Sequence, residues 1–271
     1  MGFISTPIFK FLIKYKWISL KGFDKMENQI VLNLNNVNKS FYTINGELEV
    51  VKDLSFTLKE GEIVGIVGPS GAGKSTILNL IAGLIKPTSG EIQVDGEIGY
   101  MFQKDHLLEW RDIYHNVVLG VEVKKQLTKE NIDRAHSLLE KYGLKDFKDC
   151  YPKELSGGMR QRIALIRTLL TNPKVLLLDE AFSALDYQTR LMVSCDVYKM
   201  IRGEKIASII VTHDLTEAIS LCDKVIVLSK RPAQIINVHD LEFDKNLSPI
   251  EKRTDTLFQM YFDKIWRELN E

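Results

Sequence analysis

The tightest constraint on the fold is a junction: the unbroken apolar run 63–67 (IVGIV) passes directly into GPSGAGKST at 68–76, and then into helical spacing over 74–84. A strand that is apolar at every position is buried on both faces, as in a largely parallel sheet covered above and below. In the turn that follows, Gly68 and Gly73 let the backbone fold tightly, so that successive N–H groups point inward at phosphate oxygens. Lys74 reaches the β- and γ-phosphates, Ser75 offers a hydroxyl to Mg²⁺, and the helix beginning here aims its positive end at the anion. Pro69, Ser70, Gly71, Ala72 and Thr76 complete the loop, so the sequence predicts a nucleotide site here.

The rest of the pattern agrees with such a sheet. VLNLNNV after Ile30 and VVKDLSFTL from Val50 read as strands separated by turns at Asn45-Gly46 and Glu60-Gly61. Between Gln103 and Tyr151 the spacing becomes helical, with Ile132, Ala135, Leu138, Leu139 and Tyr142 on one face and Gly143 as the stop, which predicts an inserted helical subdomain over about 104–160. A helix closed by Asn172-Pro173, a strand at 175–178, another helix, and strands at 208–211 and 224–228 then alternate, which implies parallel pairing. The tail 246–271 carries a capping box, Ser248 with Glu251, and Pro249 at the first helical position. One helix is predicted from there, its apolar face of Leu257, Phe258, Tyr261, Phe262, Ile265, Trp266 and Leu269 packing onto the core.

Four further residues complete a reaction centre. The apolar strand 175–178 ends in Asp179 and Glu180, at the carboxyl edge where open α/β sheets bind ligands. Asp179 is read as a holder of Mg²⁺ and Glu180 as the general base that polarises the attacking water. His213, in VTHD, follows another buried strand and emerges at the same edge, within reach of the γ-phosphate or Glu180. Gln103, in MFQKD, stands where the core gives way to the helical insert, where its amide binds Mg²⁺ or the attacking water. His106, His115, His136 and His239 share no metal-ligand spacing and are read as surface or core residues.

Composition narrows the partners. The 36 basic and 36 acidic residues cancel, so no overall field favours nucleic acid. Cys150, Cys195 and Cys222 are odd in number with no CxxC pair, as in a reducing cytoplasm. No run of about 18 uncharged apolar residues suggests a membrane span. The extension 1–28 carries Lys10, Lys14, Lys16, Lys21 and Lys25 among Phe, Ile and Trp; it reads either as a membrane-surface or targeting segment or as an overhang upstream of a start at Met26.

The stretch 155–162, LSGGMRQR, lies between these motifs and opens another helix, so the N–H groups of Ser156, Gly157 and Gly158 with the Ser hydroxyl form a second anion site. It resembles the signature of ATP-binding cassette ATPases, with Met159 where many members have Gln, and the resemblance runs from about Leu32 to Val238. It implies a P-loop NTPase (RecA-like) α/β core over 29–245, an N-terminal antiparallel β-subdomain, and ATP with Mg²⁺ as ligands. It further implies a head-to-tail dimer, most simply a homodimer, in which ATP on 68–76 of one copy is capped by Ser156, Gly157 and Gly158 of the other. Asp186, in SALD, matches the loop through which the copies communicate, and Phe41, or neighbouring Tyr42, the aromatic position that stacks on adenine.

The stretch 105–120, DHLLEWRDIYHNVVLG, looks like its equivalent in importers of nitrate, aliphatic sulfonates and taurine; 181–190 is similar too, with Ala181 where Pro is common. The resemblance thus implies the ATPase of a bacterial importer. It would sit peripherally on the cytoplasmic face of the membrane, with two transmembrane permease subunits and a separate extracytoplasmic substrate-binding protein. Riboflavin and pyrimidine-precursor importers use similar cassettes. An exporter's ATPase and a soluble cassette ATPase working away from membranes are the competing classes.

Overall fold

The computed structural model describes residues 29–44, 46–244 and 246–270, so the readings of the extension 1–28 lie outside the described residues. Two long strands, β1 (Ile30–Thr43) and β2 (Gly46–Lys59), precede β3 (Ile63–Val67) and α1 (Lys74–Ile81). β4 (Ser89–Val94) and β5 (Ile98–Met101) lead into α2 (Ile113–Val123), α3 (Lys129–Lys141) and α4 (Gly157–Leu170). Strands and helices then alternate: β6 (Val175–Asp179), α5 (Tyr187–Glu204), β7 (Ala207–Val211), α6 (Leu215–Leu221) and β8 (Lys224–Leu228). β9 (Ile235–Asp240), α7 (Pro249–Lys252) and α8 (Thr256–Asn270) close the chain.

Two sheets result, an antiparallel one ordered β2-β1-β4 and a larger one ordered β5-β6-β7-β3-β8-β9, parallel except for β9. The apolar strands of the large sheet divide their side chains between two cores, because successive residues of a strand face opposite ways. Ile63, Val67, Leu176, Leu178, Ile210, Val225 and Val227 pack with Val117, Leu138, Leu165, Val197, Ile219 and Ile265 on the helical side. Val64, Ile66, Leu177, Ile209 and Ile226 pack with Leu32, Leu34, Val51 and Leu54 of the antiparallel sheet and Ile77, Leu78 and Ile81 of α1. Each core therefore depends on every second residue, and cutting a fully buried side chain such as Leu177 to alanine costs about 2–5 kcal/mol.

The structure departs from the sequence reading at several ends. α1 stops at Ile81, where Gly83 turns the chain at φ +70° and Leu84 N–H returns to Asn79 O at 3.0 Å. The tail is two helices: the Ser248–Glu251 capping box opens α7, but Asp255 interrupts the run and accepts the N–H of Leu257 at 2.8 Å to begin α8. On α8 only Phe258, Tyr261 and Ile265 are buried, while Trp266 is 54% exposed, so the face that meets the core is narrower than its spacing suggests. β4, β5 and the edge strand β9 leave no clear mark in the sequence pattern, being short and only partly buried. Among the described residues no helix is long and apolar enough to cross a membrane.

Candidate active site

Strands β6, β7 and β3 are neighbours, with Asp179 opposite Val211 and Val211 opposite Ile66, so their carboxyl ends deliver three loops to one edge. The loop after β3 contains 68–76. Its turns are made by Gly71 at φ +74° and Gly73 at φ +112°; Gly68 has no such angle, which corrects the sequence reading of Gly68 as a turn-maker. Gly68 is needed instead for room, because a Cβ there would sit 3.0 Å from Leu228 Cβ. Ala72 is buried and its N–H donates to Pro69 O at 3.2 Å, Ser70 is exposed, and Thr76 is half-buried.

The start of α1 differs from those of six other helices. Asp112, Thr128, Ser156, Asp186, Asp214 and Ser248 each cap the helix they precede by accepting a backbone N–H, whereas α1 begins at Gly73 with no side-chain cap and no acidic residue in its first turn. Its leading N–H groups suit an anion. Beside them Lys74, only 7% exposed, donates from Nζ to the carbonyls of Gly68 at 2.8 Å and Pro69 at 3.0 Å. Burial lowers its pKa against the pull of Glu180 and Asp179, and a bound anion would relieve that desolvation.

Asp179 faces this lysine. Its Oδ1 accepts from Ser75 Oγ at 3.2 Å and its Oδ2 from Tyr100 OH at 3.3 Å; the same phenol lies 3.3 Å from Asn79 Oδ1. Burial raises the pKa of Asp179, Glu180 adds to the rise, and the bonds from Ser75 and Tyr100 oppose it. Burial and the Asp179 charge hold the Tyr100 hydroxyl well above its ordinary range, so it remains a donor. The oxygens of Ser75 and Asp179 are donors suited to a hard cation, and a charged ion there would offset the desolvation of the carboxylate. Among the described residues no cluster of three or more His, Cys, Asp or Glu offers another metal site.

Glu180 follows at φ +47°, a left-handed conformation that a residue with a Cβ adopts only when held there. Its N–H donates to Val211 O at 2.9 Å, and its carbonyl accepts from Ser183 N at 3.1 Å and Ser183 Oγ at 2.9 Å. Its Oε2 lies 3.3 Å from His213 Nδ1, so the third loop of the edge meets the second at this pair. Gln103 is exposed and donates from Nε2 to Ser183 Oγ at 3.0 Å, which joins it to the Glu180 loop rather than to Ser75 or Asp179. Phe41 pairs with Leu48, close to Val50, whose side chain crowds Gly73; it is half-buried with Lys39 Nζ 4.8 Å from its ring, while Tyr42 is 83% exposed.

Ser156, Gly157 and Gly158 are not brought to this edge by any hydrogen bond among the described residues. Ser156 and Gly157 are exposed, and Ser156 Oγ accepts Met159 N–H at 3.3 Å as the cap of α4. Gly158 is buried because a Cβ would lie 2.7 Å from Val193 Cγ2. The cleft beside them, about 320 Å³, is lined by Gln103, Asp105, Gly157, Arg160 and Leu185 among others, and by no residue of 68–76. Sequence reasoning missed Tyr100, Asn79, Ser183 and Arg190; only the placement of Tyr100 beside Leu177 in the β5–β6 pair reveals that it reaches Asp179.

Comparison with known proteins adds three findings. Residues 51–183 match the family model described as ABC transporter. An uncharacterised ABC transporter ATP-binding protein of Bacillus subtilis is 40% identical over 248 residues, 88% of this chain and 95% of that protein. The nitrate import ATP-binding protein of a Synechocystis species is 39% identical over 248 residues, 86% of this chain and 93% of that protein. Among solved structures, a dimeric ATP-binding cassette in a post-hydrolysis state bound to ADP and Pi matches with a TM-score of 0.67 at 31% identity, over 79% of this chain and 100% of that one.

Proposed function

The chain belongs to the ABC transporter family, and from that premise we propose that it is the ATPase subunit of a bacterial importer, acting as one of two cassettes beneath two membrane-spanning subunits. It binds and hydrolyses ATP. The observation that carries the site assignment is the meeting of Glu180 and His213 at 3.3 Å on the sheet edge that also bears Lys74 and Asp179.

In this reading the uncapped start of α1 and the Lys74 ammonium hold the phosphates, and Phe41 or Tyr42 stacks on the base. Glu180 takes the proton of the attacking water, and His213 orients that carboxylate and the γ-phosphate. Mg²⁺ held by Ser75 and Asp179, with Gln103 joining by releasing Ser183, would neutralise phosphate charge. The exposed Ser156 and Gly157, with Gly158, close over the nucleotide of a second copy, a reading supported by the dimeric cassette relative. Closure and reopening then drive the permease through the helical insert and the cleft beside Gln103.

The imported solute is a small one such as nitrate, a sulfonate or taurine, delivered by a separate extracytoplasmic binding protein while this chain sits at the cytoplasmic face of the membrane. That choice is supported by the nitrate import relative and by the 105–120 stretch. E180Q should leave ATP binding intact, trap an ATP-bound dimer and lower turnover by about 10²–10⁴-fold, the usual worth of a general base. Phosphate release at the wild-type rate from E180Q would remove Glu180 from the mechanism.

A further inference from the structure

Arg190 lies in the first turns of α5 and reaches back under the loop that carries Glu180. Its Nη2 donates to the carbonyls of Ser183 at 3.3 Å and Leu185 at 2.9 Å, and its Nη1 lies 3.8 Å from Asp214 Oδ2. Its Nε is buried with no acceptor among the described residues, so the side chain acts through its two terminal nitrogens.

Each contact leads to a group of the reaction centre. Ser183 accepts the amide of Gln103 at 3.0 Å and donates its hydroxyl to Glu180 O at 2.9 Å. Asp214 directly follows His213; its N–H donates to Thr212 Oγ1 at 3.0 Å, and its Oδ1 caps α6 by accepting Thr216 N–H at 2.8 Å, which leaves Oδ2 for the guanidinium. Thr212 is fixed in turn by donating to the buried carboxyl of Glu217 at 2.7 Å. One planar cation therefore spans the Glu180 loop and the His213 turn at the place where Gln103 arrives.

We propose that Arg190 is a positioning residue for ATP hydrolysis, holding Glu180 and His213 in register and making that register sensitive to Gln103. The inference rests on the reading of Glu180 as the general base. The guanidinium donates to two carbonyls while pairing with a carboxylate 3.8 Å away, a geometry that a lysine ammonium does not reproduce. Arg190 touches no phosphate in this account, so its removal lowers the rate of the chemical step and leaves nucleotide affinity unchanged.

The test uses the full chain with R190K, R190M and D214N, the last keeping an oxygen for the α6 cap while removing the charge. R190K and R190M should each lower kcat about tenfold with KM for ATP within about twofold, because only transition-state stabilisation is lost. D214N should reproduce part of that loss, and R190M/D214N should be no worse than R190M alone, since residues of one network are non-additive. The inference is overturned if kcat per folded molecule stays within twofold of wild type, if the losses of R190M and D214N multiply, or if R190K restores full turnover. Should R190M fail to fold, R190K and D214N decide the matter with the same readouts. Wild-type turnover by E180Q would instead refute the general-base reading, whatever the arginine variants do.

Discussion

Two glycine-rich helix starts, those of α1 and α4, carry similar backbone dipoles, yet only one stands uncapped beside a buried cation. At α1 the first N–H groups have no side-chain cap and a buried lysine stands beside them. At α4 Ser156 already caps the helix, and the cation of the first turn is spent: Arg160 forms two bonds to Asp105, at 2.9 and 3.1 Å, and one to Glu109 at 2.8 Å. A helix dipole alone contributes well under the cost of stripping a phosphate of water, about 0.3–1 kcal/mol at an exposed end. The α4 start can therefore add to a phosphate held elsewhere, but it lacks the charge to hold one itself.

The sharpest way to break this comparison is to remove each start in turn. K74A should weaken ATP binding about 10²-fold, since truncating a buried charge partner costs 2 kcal/mol or more and each 1.4 kcal/mol is tenfold. Calorimetry on dilute, monomeric protein checks this, and there S156A and S156D should bind ATP as wild type does. A loss of affinity in S156A equal to that in K74A would dissolve the distinction.

Turnover separates the two duties of Ser156. S156A loses about 1 kcal/mol of cap stability, whereas S156D caps as well as serine. Both should hydrolyse ATP roughly tenfold more slowly, the aspartate because its charge opposes the partner's phosphate, a loss of about 1.4 kcal/mol. Thermal midpoints measured beside phosphate release test the split; normal hydrolysis by S156D would mean the serine only caps. At Gly158 the expected effect is on the fold of the second start: G158A should lower stability by about 1–3 kcal/mol through overpacking, read as a fall in the thermal midpoint. G158A/V193A should recover the midpoint, because the clash is with Val193.

The contrast between these starts also marks what was legible in the chain. Lys74, Asp179, Glu180 and His213 could be placed because each follows an apolar strand, and the alternation of strands with helices brings those strand ends to one edge. Tyr100 and Arg190 left no such trace. Their roles arise from β5 lying beside β6 and from α5 turning its first coils under the Glu180 loop, contacts between elements distant in sequence or set by a side chain's direction. Gly68 illustrates a subtler limit, since a glycine kept for space and one kept for its backbone angle look alike until the packing is seen. The tail has a similar limit: the capping box at Ser248 reads as the start of the whole apolar face from Leu257, and only the bond from Leu257 N–H to Asp255 shows that a new helix starts there.

The strand order β5-β6-β7-β3-β8 has a consequence for how the molecule comes to be. Ile63 pairs with Ser208 and Val67 with Val227, so the strand that launches the phosphate loop finds both neighbours in the last part of the chain to be synthesised. Such distant pairings are slow to form, because the loop entropy must be surrendered before the contacts repay it. In chain order the loop at 68–76 precedes β7 and β8, so β3 can gain both neighbours only once residues through 228 are present. A phosphate loop launched from its finished strand thus implies that β7 and β8 have already found β3.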